Sequence, residues 1–174
     1  GFASTTVAED ATFTVEHVFG RARFQVAVPD GWMLKEVRHE GREVTDAPIE
    51  LRSAQEMSGV DVVITDRVTR VLGQLVDERN QPLRDATVMV FPAARDAWFE
   101  SSRRMQTTRP DQRGAWEVKG LPPGEYLAVA LDYVDEDARH DPEYLESLRE
   151  AARPVSLDDG EAETVALTLT APGN

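Results

Sequence analysis

Cysteine is absent from this 174-residue chain, which excludes disulfides, zinc–thiolate sites and thiol nucleophiles. Lysine is almost absent as well: Lys35 and Lys119 are the two, and every other basic side chain is arginine, a bias that points to no chemistry. No run approaches the ~20 apolar residues of a membrane-spanning helix. Residues 1–20 have neither a basic start nor an apolar centre, so they do not read as a signal peptide. Basic charge is also in short supply. Against 32 Asp and Glu stand 19 Lys and Arg, a net charge of -13, which repels phosphate backbones and anionic lipid heads. Neither nucleic-acid binding nor direct membrane insertion is expected. Histidine is scarce: His17, His39 and His140 lie in different segments, with no metal-ligand spacing between any two. No Gly-x-Ser-x-Gly elbow occurs, and no carboxylate pair stands out as a glycosidase pair would. Neither a catalytic residue nor a metal or other cofactor is assigned, and the expectation is a chain that is not an enzyme.

What the chain does have is apolar content, 41% of residues, enough for a packed core in one medium domain or two small ones. The patterning is that of strands. From about Thr12, Phe13, Val15 and Phe19 fall on odd positions. Phe24, Val26 and Val28 then alternate with Arg23, Gln25 and Ala27, the period of two that marks half-buried strands. Pro29-Asp30-Gly31 interrupts the pattern, and Trp32–Val37 resumes it. His39–Arg42 reads as a tight turn in which Gly41 supplies positive φ, and Val60–Ile64 is another strand.

A second series begins near Val68. Strands are predicted at Val71–Val76, Ala86–Phe91, Ala115–Val118, Glu125–Leu131 and Thr164–Leu169, with a polar turn at Asp77–Pro82. Gly120-Leu-Pro-Pro-Gly124 is expected to close a hairpin between the third and fourth of these. One helix interrupts the strands at about 141–152. Asp141 suits its N-cap, Pro142 its first position and Glu143 the positive end of its dipole, and Pro154 lies just beyond its end. Tyr144, Leu145, Leu148 and Ala152 share one face, with Glu146, Arg149 and Glu150 away from it. The helix is expected to cross between the last two strands and cover one end of a sandwich.

Two motifs carry a resemblance. Gly73-x-Leu-Val-Asp-x-x-x-x-Pro-Leu-x-Asp-Ala-x-Val88 and Gly120-Leu-Pro-Pro-Gly-Glu-Tyr126 make the segment from Val68 to Leu169 resemble the carboxypeptidase regulatory-like domain, a transthyretin-like (prealbumin-like) sandwich. The segment Phe24–Trp32 echoes Trp116–Tyr126, but residues 11–66 lack the family's opening strands. The resemblance therefore implies an all-β chain of tandem transthyretin-like, Greek-key sandwiches. Residues 1–66 would be a partial or reduced unit and residues 67–174 a full regulatory-like domain. No Gly/Ser linker marks Asp66-Arg67, which favours packed units over free beads. Such domains are non-catalytic appendages of secreted, periplasmic or surface proteins of bacteria. The implied role is a structural or protein-interaction module in a longer parent protein, with other domains of that parent and a protein or glycan ligand as partners. Related adhesin modules carry a Lys–Asn isopeptide bond. Here Asn80 lies in a turn and Asn174 is the last residue, so neither offers Lys35 or Lys119 a strand-borne partner.

Two regions are candidate sites. Residues 94–113 gather Trp98, Phe99, Arg103, Arg104, Met105, Arg109 and Arg113 in an acidic chain, and aromatics with arginines are the residue types that anchor interfaces. Trp98, Phe99, Arg103, Arg104 and Arg109 are the candidate interaction residues. The alternative to protein binding is carbohydrate binding, with Trp98 exposed to stack on a sugar ring. The structural reading of the same residues is Trp98 and Phe99 packed under the loop and the arginines paired with carboxylates. Trp32 and Trp116 are expected in the core. The acidic stretch Asp132–Asp141 offers calcium several carboxylates, but it has no turn glycine, and a solvated loop running into a helix cap accounts for it as well.

Overall fold

A computed structural model describes residues 3–52, 56–134 and 138–170 of the chain. The chain is all-β with one short helix, and it divides into two compact units, Gly1–Pro29 with Leu34–Ile64 and Asp30–Met33 with Thr65–Asn174.

Five strands fall mainly in the first unit: β1 (Gly20–Ala22), β2 (Met33–His39), β3 (Arg42–Glu43), β4 (Ile49–Leu51) and β5 (Val60–Thr65). β1 pairs antiparallel with β4, and a second sheet runs β3-β2-β5. The β2–β3 hairpin closes on two residues, with His39 opposite Arg42. Glu40 and Gly41 both take positive φ, 49° and 77°, the type I′ geometry that matches strand twist. The strand expected from Thr12 does not form. His17 at φ 61° and Gly20 at φ 80° break the extended backbone there, and Phe19 is 75% exposed. Residues 23–29 keep their alternation, with Phe24, Val26 and Val28 half-buried, yet lie outside any strand. Alternating side chains direct one face inward, but a strand also needs a partner for its N–H and C=O groups. Val37 and Thr45 are the fully buried residues described in this unit. The Thr45 hydroxyl accepts from the Val37 N–H at 2.9 Å and donates to Glu43 Oε1 at 3.1 Å. Trp32, expected in the core, is 42% exposed, because it precedes β2 at the Asp30-Gly31 turn rather than lying within the strand.

The second unit is a sandwich. Its strands are β6 (Arg70–Gln74), β7 (Thr87–Pro92), β8 (Gln106–Thr108), β9 (Ala115–Lys119), β10 (Gly124–Leu131), β11 (Arg153–Leu157), β12 (Ala162–Thr164) and β13 (Leu169–Thr170). One sheet is ordered β11-β10-β7-β8, with β13 parallel to the end of β10; the other is β12-β6-β9. Between the sheets lie Val71, Leu75, Val88, Val90, Trp116, Val118, Tyr126, Ala128 and Val155. The outer face of the larger sheet is equally apolar: Met89, Phe91, Leu127, Val129 and Leu131 pack with Trp98, Val134, Leu145 and Leu148. β7 and β10 are therefore buried on both faces, which is why they read as continuous apolar runs.

The helix α1 (Pro142–Leu148) brings Leu145 and Leu148 to that outer core. It covers a sheet face rather than the end of the sandwich, because β10 still needs apolar cover on its odd-numbered side. The Asp141 carboxylate caps it, accepting from the N–H groups of Glu143 at 2.7 Å and Tyr144 at 3.0 Å. It stops at Leu148, short of the expected 152, and Pro154 sits within β11 instead of ending the helix. β11 is an edge strand, where a missing N–H is tolerated.

The expected hairpin at Gly120–Gly124 is instead a crossing between sheets, since β9 and β10 belong to different ones. Leu121 inserts into the core at 1% exposure, held by the Thr69 hydroxyl donating to its carbonyl and by the Gly120 N–H donating to Thr69 O. The Tyr126 hydroxyl then donates to Pro122 O at 2.6 Å, a tyrosine corner in function. The last expected strand also divides. β12 runs beside β6, Leu167 bridges to Leu75, and β13 joins β10 in the other sheet. Gly73 leaves no room for a side chain: a Cβ there would lie 2.2 Å from Val165 O and 2.9 Å from the Trp116 ring.

Candidate functional site

The segment 94–113 begins with a single 3-10 turn, Arg95–Ala97, which turns the chain back over the outer core. Trp98 follows, 6% exposed. Its indole N–H donates to Pro92 O at 2.7 Å, and its ring meets Phe91 edge-on at 6.0 Å between centroids. The guanidinium carbons of Arg95 and Arg149 stand 5.6 and 5.4 Å from the ring centroid, within cation–π range. Glu146 bridges the two arginines, 3.7 Å from Arg95 Nε and 3.1 Å from Arg149 Nε, while Arg149 Nη2 donates to Ala93 O at 3.1 Å. Trp98 is thus a structural anchor under a loop clasped to α1, and the stacking role that required its exposure is not met. The helix pattern places Glu146 and Arg149 away from the apolar face; that they close over a tryptophan 48 positions or more upstream in the chain is a tertiary fact.

The other candidate residues part company. Phe99, Arg103 and Arg104 are half-buried and Arg109 is exposed. Arg104 Nη1 donates to Pro123 O at 3.3 Å and reaches the Tyr126 hydroxyl at 3.4 Å, tying the loop to the inter-sheet crossing. Asp111 builds the following turn, its Oδ1 accepting from Arg113 N at 2.8 Å and Ala115 N at 3.0 Å. Asp77 does the same for Arg79 N and Gln81 N, both at 2.8 Å. These carboxylates are held by backbone donors, which is why Asp recurs at turns.

Arg109 lines a surface cleft of about 430 Å³ with Asp85, Ala86, Thr87, Thr107, Thr108, Asp132, Tyr133 and Val134. The cleft forms where three strands end together: Thr87 lies opposite Leu131, Val88 opposite Thr108 and Met89 opposite Thr107. Val134 belongs to the outer core, whereas Tyr133 is 68% exposed. Arg109 is a candidate interaction residue and Asp132 opens the calcium candidate stretch; the other residues of this cleft are not sequence candidates. The strand-end register that assembles it is invisible in any one segment.

The calcium candidate stretch Asp132–Asp141 is described in part. Asp141 is occupied as the helix cap, and Asp132 Oδ1 accepts from Tyr133 N at 2.8 Å. Asp135, Glu136 and Asp137 lie outside the described residues. Among the described residues no three His, Asp or Glu side chains gather as a metal site, and no helix is long and apolar enough to cross a membrane. His17 is solvent-exposed beside Glu16, His39 ends β2 and His140 sits in the 3-10 turn Ala138–His140 that precedes α1.

No family model and no curated protein matches the chain. Among solved structures it is similar to a streptococcal ancillary pilin, at 17% identity and a TM-score of 0.40, over 72% of this chain and 39% of the pilin. It is similar to a DUF3823-family protein of Parabacteroides merdae at 14% identity and a TM-score of 0.36, over 58% of this chain and 45% of that one. A catechol 1,2-dioxygenase of an Acinetobacter species is similar at 13% identity and a TM-score of 0.30, over 36% of this chain and 31% of the enzyme. The chain spans less than half the length of each of these three proteins.

Proposed function

We propose that this chain is a non-catalytic structural and protein-interaction module, of the carboxypeptidase regulatory-like kind, from a secreted or cell-envelope protein of a bacterium. The observation that carries the reading is the clasp on Trp98. Arg95, Glu146 and Arg149 close over Trp98 and hold it against α1 and the outer core, so the half-buried Phe99 and Arg103 follow directly from a fixed anchor. Preorganised aromatic and arginine side chains bind with little ordering cost. Support also comes from how the ionisable groups are employed: Asp77 and Asp111 shape turns, Asp141 caps the helix, and Glu146 completes the clasp.

The test is capture from envelope extract on the immobilised chain, with cross-linking to map the contact, comparing the wild type with the double variant Phe99→Ala/Arg103→Ala. Capture that cross-links to residues 94–104 and is lost in the variant supports the reading. Capture unchanged by the variant moves the interface elsewhere. Failure to capture any protein would reduce the module to a mechanical spacer.

A further inference from the structure

The cleft at the ends of β7, β8 and β10 has a composition that selects one ligand class. Its wall combines two carboxylates, Asp85 and Asp132, with one guanidinium, Arg109, three threonine hydroxyls and the exposed ring of Tyr133. Among the described residues, the side chains of Asp85, Thr87, Thr107, Thr108, Arg109 and Tyr133 form no hydrogen bond or ion pair within the protein. An anionic ligand would meet Asp85 and Asp132. A lysine or arginine side chain of a partner would meet Arg109. What suits all three charges is a neutral group that donates and accepts at once, and vicinal hydroxyls do so: they donate to carboxylates and accept from guanidinium N–H. An exposed aromatic face beside such groups receives the C–H face of a pyranose ring. The volume, about 430 Å³, lies in the ~300–1,000 Å³ range of ligand clefts.

We infer that this cleft binds a neutral saccharide, with Tyr133 as its stacking platform and Asp85, Asp132, Arg109 and the threonines as hydroxyl partners. The platform differs from the one expected from sequence: Trp98 is buried, and Tyr133 takes its place. The inference goes beyond the proposed function and does not rest on it. Residues 99 and 103, substituted in that test, lie outside the cleft, so either reading can fail alone.

The experiment is backbone-amide NMR on the whole chain, titrated separately with maltotriose, cellotriose and tri-N-acetylchitotriose at millimolar concentration, and with N-acetyl-lysine amide as the cationic competitor. At least one trisaccharide is expected to shift the amides of Thr87, Thr107–Arg109 and Tyr133. Tyr133→Ala should weaken that binding roughly tenfold, the stacking contribution of one ring, while Tyr133→Phe should retain it. Because Tyr133 is exposed, both variants should fold. The inference is overturned if no trisaccharide shifts those amides, if Tyr133→Ala binds as tightly as wild type, or if the lysine compound alone occupies the cleft.

Discussion

The two units of this chain are built from similar strand-forming residues and reach very different degrees of burial. In the second, two contiguous apolar clusters lie on either side of the sheet containing β7 and β10, and Tyr126, Phe91, Met89 and Leu145 are almost wholly buried. In the first, Val37 and Thr45 alone are fully buried among the described residues, and Val7, Val15 and Phe19 are exposed. The difference lies in closure. A sheet covered on both faces removes every side chain of its central strands from water, whereas short two- and three-stranded sheets leave each strand half-buried. Hydrophobic stabilisation follows the apolar area removed from water, so it should concentrate in the second unit.

Paired substitutions make this comparison breakable. The largest effect is expected at the Trp98 anchor. Trp98→Ala removes the ring that Phe91, Arg95 and Arg149 surround and should cost about 3–5 kcal/mol in urea unfolding. Phe19→Ala, at an exposed site, should stay within about 0.5 kcal/mol. Equal losses would mean that Phe19 is covered in solution and that the contrast between units is wrong.

Glycines give the next pair. At Gly73 a methyl group would press on Val165 O and the Trp116 ring. Backbone must move to admit it, and Gly73→Ala should cost about 1–3 kcal/mol or more, as overpacked sites do. Gly41→Ala meets nothing within 4 Å, and its penalty comes from φ 77° alone, about 1–2 kcal/mol. Thermal unfolding followed by tryptophan fluorescence should show the Gly73 variant losing the Trp116 signal earlier, and the Gly41 variant leaving that signal in place.

The smallest pair contrasts two aspartates that both accept backbone N–H groups. Asp141→Ala removes the cap of α1 and should cost about 1 kcal/mol, read as a lower urea midpoint. Asp10 accepts from the hydroxyl and N–H of Thr12 at 2.7 and 3.1 Å. The Thr12 hydroxyl, the larger influence, and the Thr12 N–H hold its carboxyl below the usual range. Asp10 is fully exposed, so Thr12→Val should raise its titration midpoint in NMR without moving the unfolding midpoint. A fall in stability on that substitution would reveal a firmer first unit than its burial indicates.

The all-β class, β2, β5, β7 and β10, the Asp77–Pro82 turn and the Asp141 cap follow from the sequence itself, because alternation, turn chemistry and capping are local properties. Packing under the loop was one of the two fates the sequence left open for Trp98. The structure alone decided the rest, by pairing segments distant in the chain. Gly120–Gly124 looks like a hairpin loop and becomes a crossing, because Leu121 is drawn between the sheets. Residues 164–169 look like one strand and are divided between two sheets. Residues 23–29 alternate as a strand would and yet lie outside any strand. The cleft around Tyr133 exists because β7, β8 and β10 end in register, and register is a relation between strands that no single segment encodes.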